Sequence, residues 1–128
     1  MGLFDNLKKK NEAKRLGLSV EQYDEYMEAT KQGISLEQYK RYLASFSGKL
    51  SLLQFVDYLY LEKGGMADNQ IMRYLTELSS KIKVEDYSDF LEAEKIGLSQ
   101  SEYVVYSNTL KGKMTAVDYV GFLKAQKI

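Results

Sequence analysis

The strongest constraint on the fold of this chain is a sequence segment that returns every sixteen residues. Residues 17–23 read GLSVEQY and residues 33–39 read GISLEQY, and the same step continues along the chain without insertion or deletion. It places the starts of seven repeat units near Ser19, Ser35, Ser51, Ala67, Lys83, Ser99 and Thr115. Such a pattern is typical of a chain built from copies of one small structural element.

Each unit begins with residues that favour the start of an α-helix. Five of the seven start positions are Ser or Thr, whose hydroxyl accepts a hydrogen bond from a free N–H of the first helical turn. A residue able to complete a capping box follows three positions later. These residues are Gln22, Gln38, Gln54, Gln70, Asp86, Glu102 and Asp118. Apolar residues directly before the start and four positions after it predict a hydrophobic staple in addition.

Glycine precedes six of the seven starts by two or three residues, where a left-handed residue is suited to end the previous helix. The predicted left-handed residues are Gly17, Gly33, Gly48, Gly64, Gly97 and Gly112. Between start and end, positions four, seven, eight and eleven after the start lie on one stripe of a helix and form its predicted buried face. We therefore predict helices of about twelve residues and about 18 Å, joined by turns of about four residues.

The sequence thus predicts an all-α fold of seven to eight short antiparallel helices. Both an α-solenoid-like superhelix and a compact helical bundle are compatible with the repeat. We predict one helical-repeat domain over residues 1–128, in which residues 1–16 are a degenerate N-terminal cap unit. Two starts lack a capping side chain: Asp68 is the expected substitute for Ala67, and Ser79 or Ser80 could begin the turn that precedes Lys83.

Composition removes several functional classes. The chain has no Cys and no His, which excludes thiolate chemistry and the commonest general base and zinc ligand. It also has no glycine-rich phosphate-binding motif, so we expect no catalysis, no cofactor, no metal and no small-molecule substrate. Eighteen basic residues balance eighteen acidic ones. The apolar runs are shorter than the roughly 20 residues of a membrane helix, and residues 1–10 do not resemble a signal peptide, so we expect a cytoplasmic protein.

Ten of the eleven tyrosines fall at positions four and seven of the repeat. They predict either the interhelix core or a tyrosine-lined groove that binds bases or a peptide. We favour the core, because regular helical spacing is what a buried face produces.

Two other regions are candidate interaction surfaces. Near the N-terminus, Leu3, Phe4 and Leu7 share one helix face and are followed by Lys8, Lys9 and Lys10. This segment could contact an anionic membrane surface or nucleic acid, or it could be a solvated end cap packed on the next helix. In the second region, Val56, Tyr60, Val104 and Val105 add apolar side chains outside the repeated stripe. They indicate either central burial or a patch covered by another protein or a second copy.

The leading functional hypothesis is a non-enzymatic helical-repeat adaptor or inhibitor that acts by protein–protein contact. The alternative is a peripheral membrane-surface or nucleic-acid accessory protein that acts through its basic amphipathic N-terminus.

Overall fold

The structure of the protein, a computed structural model, describes residues 2 to 126. These residues form eight α-helices: α1 (Leu3–Leu16), α2 (Val20–Lys31), α3 (Leu36–Ser45), α4 (Leu52–Lys63), α5 (Asp68–Arg73), α6 (Tyr87–Lys95), α7 (Gln100–Val105) and α8 (Ala116–Gln126). A π-helical turn extends α5 (Tyr74–Leu78) and another extends α7 (Tyr106–Leu110), while a 3₁₀ turn (Val84–Asp86) leads into α6. Within this range there is no strand, only an isolated bridge between Lys111 and Met114. The all-α prediction is confirmed.

The chain divides into two compact units, Met1–Leu59 and Tyr60–Ile128. In the first unit α1 packs on α2 and α2 on α3, and in the second α6 packs on α7. The prediction of a single repeat domain over residues 1–128 stays a prediction.

Helices begin where the capping residues favour them. At Ser19 the hydroxyl accepts a hydrogen bond from Gln22 N at 3.1 Å, while Ser19 N donates to Gln22 Oε1 at 2.9 Å. The same reciprocal pair forms at Ser35 and Ser99 and between Ser51 and Gln54. Each box satisfies two donors that would otherwise lack a partner at the helix start. The predicted boxes are confirmed at these four starts.

The two starts without a capping side chain keep their positions, so both expected shifts are wrong. Ala67 is the N-cap in extended conformation, and Asp68 is the first helical residue rather than the cap. At Lys83 the backbone is also extended, and the first turn that follows is 3₁₀, with Asp86 N donating to Lys83 O at 2.9 Å. The tighter turn pairs a backbone N–H that no side chain caps.

Four turns have the Schellman geometry, in which the N–H of the residue after a left-handed glycine donates to the main-chain oxygen five residues back. Ile34 N donates to Ala29 O at 3.1 Å after α2, and Leu98 N donates to Ala93 O at 3.1 Å after α6. The turns after α1 and α4 have the same bonds. After α4 the left-handed residue is Gly65, with φ of 87°, and not Gly64 as predicted. Gly65 lies two residues before the start at Ala67, as Gly33 and Gly97 do before theirs.

The other three turns, after α3, α5 and α7, are closed by a tyrosine, and we name them tyrosine-latched turns. The hydroxyls of Tyr42, Tyr74 and Tyr106 each donate to the main-chain oxygen of the residue eight positions later, at 2.7, 2.7 and 3.1 Å. The helix widens before each latch into the turns Tyr74–Leu78 and Tyr106–Leu110, and after α3 by a bond from Ser47 N to Tyr42 O at 2.8 Å. These wider turns hold one more residue than an α-helical turn.

Aromatic rings form the core of each unit. In the first unit, Tyr26 contacts Tyr39 and Tyr42 contacts Phe55, with ring centroids 5.6 and 5.2 Å apart. In the second, contacts of 4.9 to 6.4 Å run through six rings, which are Tyr74, Tyr87, Phe90, Tyr103, Tyr106 and Tyr119. Each of these six rings is buried. The preference for a tyrosine core over an open groove is confirmed for them.

Candidate interaction surfaces

The outward face of α1 carries the most exposed apolar residues of the described chain. Leu3 and Phe4 are 84% and 85% exposed, and Leu7 is 53% exposed. Only Ala13 of α1 is fully buried, because the helix packs on α2 through one narrow row. The predicted contact of Leu3, Phe4 and Leu7 with the next helix is therefore wrong.

Basic residues continue the same outward face. At 3.6 residues per turn, Lys10 and Lys14 follow Leu3 and Leu7 in one row, while Lys8 follows Phe4 in the adjacent row. All three lysines are exposed. Lys9 differs, because it lies on the packed side and binds Asp24 of α2 at 2.9 Å. The structure thus places Lys8 and Lys10 beside the apolar residues and uses Lys9 to hold α1 on α2.

The two acidic residues of α1 lie away from the apolar residues of this face. Asp5 shares the row of Lys9 and Ala13. Glu12 accepts hydrogen bonds from Arg15 at 2.8 and 3.2 Å, and this contact lowers the pKa of the Glu12 carboxyl from its ordinary value. Glu12 also lies one turn after Lys8, whose charge contributes to the lowered pKa, so Lys10 and Lys14 are the cations of the outward rows that have no carboxylate one turn away in α1.

The four residues predicted outside the repeated stripe divide into two pairs. Val56 and Val104 are half-buried. Tyr60 and Val105 are 53% and 50% exposed. Central burial is therefore wrong for Tyr60 and Val105, and both offer apolar surface to solvent.

Tyr60 lines a groove of about 450 Å³ in the second unit, which we name the Tyr60 groove. Its lining residues are Tyr60, Leu61, Lys63, Gly64, Met66, Val84, Glu85 and Ser88. The apolar part comes from the end of α4, the turn after it and the 3₁₀ turn before α6. A main-chain bond from Met66 N to Leu61 O at 3.2 Å fixes one wall. Tyr60 was predicted as a candidate interaction residue from its place outside the repeated stripe, whereas Met66 and Val84 occupy an ordinary staple position and a helix start and were not predicted to line a groove.

Two carboxylates accept hydrogen bonds from tyrosines of the aromatic core. Glu25 accepts a hydrogen bond from the Tyr39 hydroxyl at 2.7 Å, and Asp89 accepts one from the Tyr103 hydroxyl at 2.8 Å. Burial first and the neighbouring carboxylate second raise the pKa of both tyrosines well above the ordinary value. Both phenols therefore stay protonated and act as hydrogen-bond donors.

Among residues 2 to 126, no group of three or more acidic, His or Cys side chains is placed to hold a metal ion. None of the described helices is long and apolar enough to cross a membrane. No protein-family model, no curated protein and no solved structure matches the chain.

Proposed function

We propose that the chain is a cytoplasmic, non-enzymatic protein-interaction module, an adaptor or inhibitor, and that its Tyr60 groove binds an apolar helix face of another protein. The observation that carries the proposal is the exposure of Tyr60 beside Met66 and Val84 in a concave surface. Tyrosine is enriched among the residues that dominate binding energy at protein interfaces, because its ring gives a large rigid contact and its hydroxyl a hydrogen bond.

The chemistry of the groove fits an amphipathic helix. The apolar side chains can receive the apolar face of such a helix. Lys63 and Glu85 place one positive and one negative charge at the groove. A partner residue of either charge can therefore pair with one of them. Because main-chain bonds already shape the wall at Met66, binding requires little ordering of the chain.

A catalytic role finds less support. The chain contains no His and no Cys, and the hydroxyls of Tyr42, Tyr74 and Tyr106 are hydrogen-bonded to main-chain oxygens. These groups stabilise turns and are not available as acids or nucleophiles.

The test is affinity capture from the source lysate with full-length chain, followed by titration of the captured protein against purified variants. Tyr60→Lys and Met66→Lys place a charge in the groove, while Val117→Lys changes a residue of α8 that is 65% exposed and outside the groove. We expect at least tenfold weaker binding for the two groove variants and unchanged binding for Val117→Lys.

Recovery of a protein by the wild-type chain alone does not support the proposal, because only dependence on Tyr60 locates the contact. Equal binding by wild type and Tyr60→Lys would contradict the groove assignment. Light scattering tests for self-association. Concentration-dependent dimerisation that Tyr60→Lys abolishes would show that the groove binds a second copy of this chain and not another protein.

A further inference from the structure

The outward face of α1 carries a second inference that does not depend on the Tyr60 groove. Leu3 and Phe4 are more exposed than any other large apolar side chain of residues 2 to 126. The core of the first unit does not use them, because α1 buries only Ala13. Their placement at the first turn of the helix puts them, together with Leu7, at one end of a face that is polar beyond these three residues.

The charge of that face selects one kind of partner. Beyond Leu7 the outward rows continue with Lys8, Lys10 and Lys14, which lie within two turns of the apolar residues. Lys10 and Lys14 form no ion pair within residues 2 to 126, whereas Lys9 is held by Asp24. A partner that fits must accept exposed apolar side chains at one end and cations along the rest.

We propose that α1 docks the protein on an anionic phospholipid membrane. Leu3, Phe4 and Leu7 enter the boundary between headgroups and acyl chains, and Lys8, Lys10 and Lys14 contact lipid phosphates. Both parts of the face then have a suitable environment, because an interfacial amphipathic helix combines apolar insertion with attraction to anionic lipid. The lysine stems extend along the apolar boundary while the ammonium groups stay in water.

Nucleic acid fits the same lysines less well. Its phosphates would attract Lys8, Lys10 and Lys14, but binding to phosphates gives Leu3 and Leu7 no apolar environment. The apolar end of the face therefore favours lipid. A labelled nucleic-acid duplex is tested beside the vesicles as the alternative ligand.

The absence of tryptophan from the chain permits a direct test of insertion. Phe4→Trp places a single reporter on the outward face of full-length protein, and Val117→Trp places one at an exposed position of α8. Both are titrated with phosphatidylcholine vesicles that contain either no anionic lipid or about one third phosphatidylserine. We expect a blue shift of emission for Phe4→Trp with anionic vesicles only, and no shift for Val117→Trp.

Sedimentation with the same vesicles tests the two parts of the face separately. Leu3→Ser with Phe4→Ser, and Lys10→Glu with Lys14→Glu, should each reduce binding at least tenfold, and higher ionic strength should weaken binding of the wild type. Leu53→Ser, at a position 68% exposed on α4, should leave binding unchanged. All these positions are exposed, and circular dichroism checks that the variants remain folded.

Absence of binding to anionic vesicles would overturn the proposal, as would full binding by the Leu3 and Phe4 double variant. Binding of the nucleic-acid duplex but not of vesicles would indicate that the lysines bind nucleic acid, and it would also overturn the proposal. Tyr60→Lys should bind vesicles like the wild type, so failure of the membrane proposal and failure of the protein-interaction proposal give different results.

Discussion

The Schellman turns and the tyrosine-latched turns arise from the same sixteen-residue pattern and differ in where one apolar residue stands. Helices that end in a Schellman turn bury the tenth residue after the start, as at Ala29, Leu61 and Ala93. Helices that end in a latched turn have their apolar residue at the eleventh position instead, as at Phe46, Leu78 and Leu110. Leu78 is buried and the other two are half-buried.

The wider turn explains this shift. A π-type turn contains one residue more than an α-helical turn, so the residue that meets the core comes one position later. The tyrosine hydroxyl then bonds the main-chain oxygen next to the following helix start. One residue of displacement in the apolar pattern therefore accompanies the two local geometries. The glycine position differs as well, because it lies two residues before the next start in the Schellman turns and three residues before it at Gly48 and Gly112.

The largest expected effect is the loss of a latch tyrosine. Tyr42→Ala removes a ring that is 5% exposed and contacts Phe55, together with the latch bond. We expect a loss of about 3–5 kcal/mol in the free energy of unfolding, which is a large fraction of the roughly 5–15 kcal/mol typical of small proteins. Chemical denaturation measures it, and Met27→Ala, at a position 43% exposed, should cost much less. Equal losses for the two variants would show that the latch ring is not part of the core.

The second effect compares glycines of the two turn classes. Gly33 has φ of 83° in a Schellman turn, and Gly48 has φ of 84° in a latched turn. A Cβ at either position meets no atom within 4 Å, so the cost of alanine is conformational. We expect Gly33→Ala to cost about 1–2 kcal/mol, the penalty of a left-handed alanine.

Gly48→Ala should cost less than Gly33→Ala. Thirty-two residues further on, Ser80 holds the corresponding place in a latched turn, and its φ is not positive, so a latched turn can form without a left-handed residue. Gly121→Ala is a control with the opposite expected effect, because Gly121 lies inside α8 with open space around it. This variant should raise the free energy of unfolding by about 0.5–1 kcal/mol. Denaturation of the three variants checks this order, and a larger loss at Gly48 than at Gly33 would contradict it.

Helix starts could be predicted from this sequence better than helix ends. The boxes at Ser19, Ser35 and Ser99 depend on residues within one turn, so local spacing was sufficient. The end of α4 was misplaced by one residue because Gly64 and Gly65 are both able to adopt a left-handed conformation, and only the spacing to Ala67 selects the second. The eleventh position was expected in every buried stripe, which is confirmed at Leu78 but is wrong for the helices that end in Schellman turns, because they bury Ala29 and Ala93 at the tenth position instead.

The candidate surfaces were predicted less completely, because exposure depends on which faces neighbouring helices leave uncovered. Phe122 occupies the seventh position, where a ring such as Phe90 contacts the next helix, and it was expected in the buried stripe. It is 50% exposed, and no helix follows α8 within the described residues. Met66 and Val84 become part of a groove only because two turns distant in sequence lie side by side.

The third prediction isolates the latch bond from the ring. Tyr42→Phe keeps the core contact and removes the hydrogen bond to Leu50 O. We expect a loss of about 1 kcal/mol, as is typical for one intramolecular hydrogen bond. Tyr26→Phe, at a half-buried position of a helix that ends in a Schellman turn, should change stability less. Double-mutant comparison with Gly48→Ala shows whether latch and glycine act together, and strict additivity would mean that they stabilise the turn independently.

The smallest effect concerns the ion pair that joins a latched helix to its successor. Arg73 of α5 donates to Glu94 of α6 at 2.8 Å, and this hydrogen bond, with the positive charge of Arg73, lowers the pKa of the Glu94 carboxyl. The folded state therefore binds the proton more weakly than the unfolded state. The pair stabilises folding above the unfolded carboxyl pKa of about 4.3, and the contribution is lost as the pH falls through the lower folded value.

Because both side chains are more than one third exposed, solvent screening limits this contribution to below about 1 kcal/mol. Glu94→Gln should lower the free energy of unfolding at neutral pH by that amount and flatten its decline between about pH 5 and pH 3. The matched control is Glu92→Gln, which removes only an exposed pair with Lys95 inside α6 and should have a smaller effect. If the two variants have the same stability at every pH, the tyrosine latch and the ring contacts are sufficient to fix α6 against α5, and the ion pair adds nothing to them.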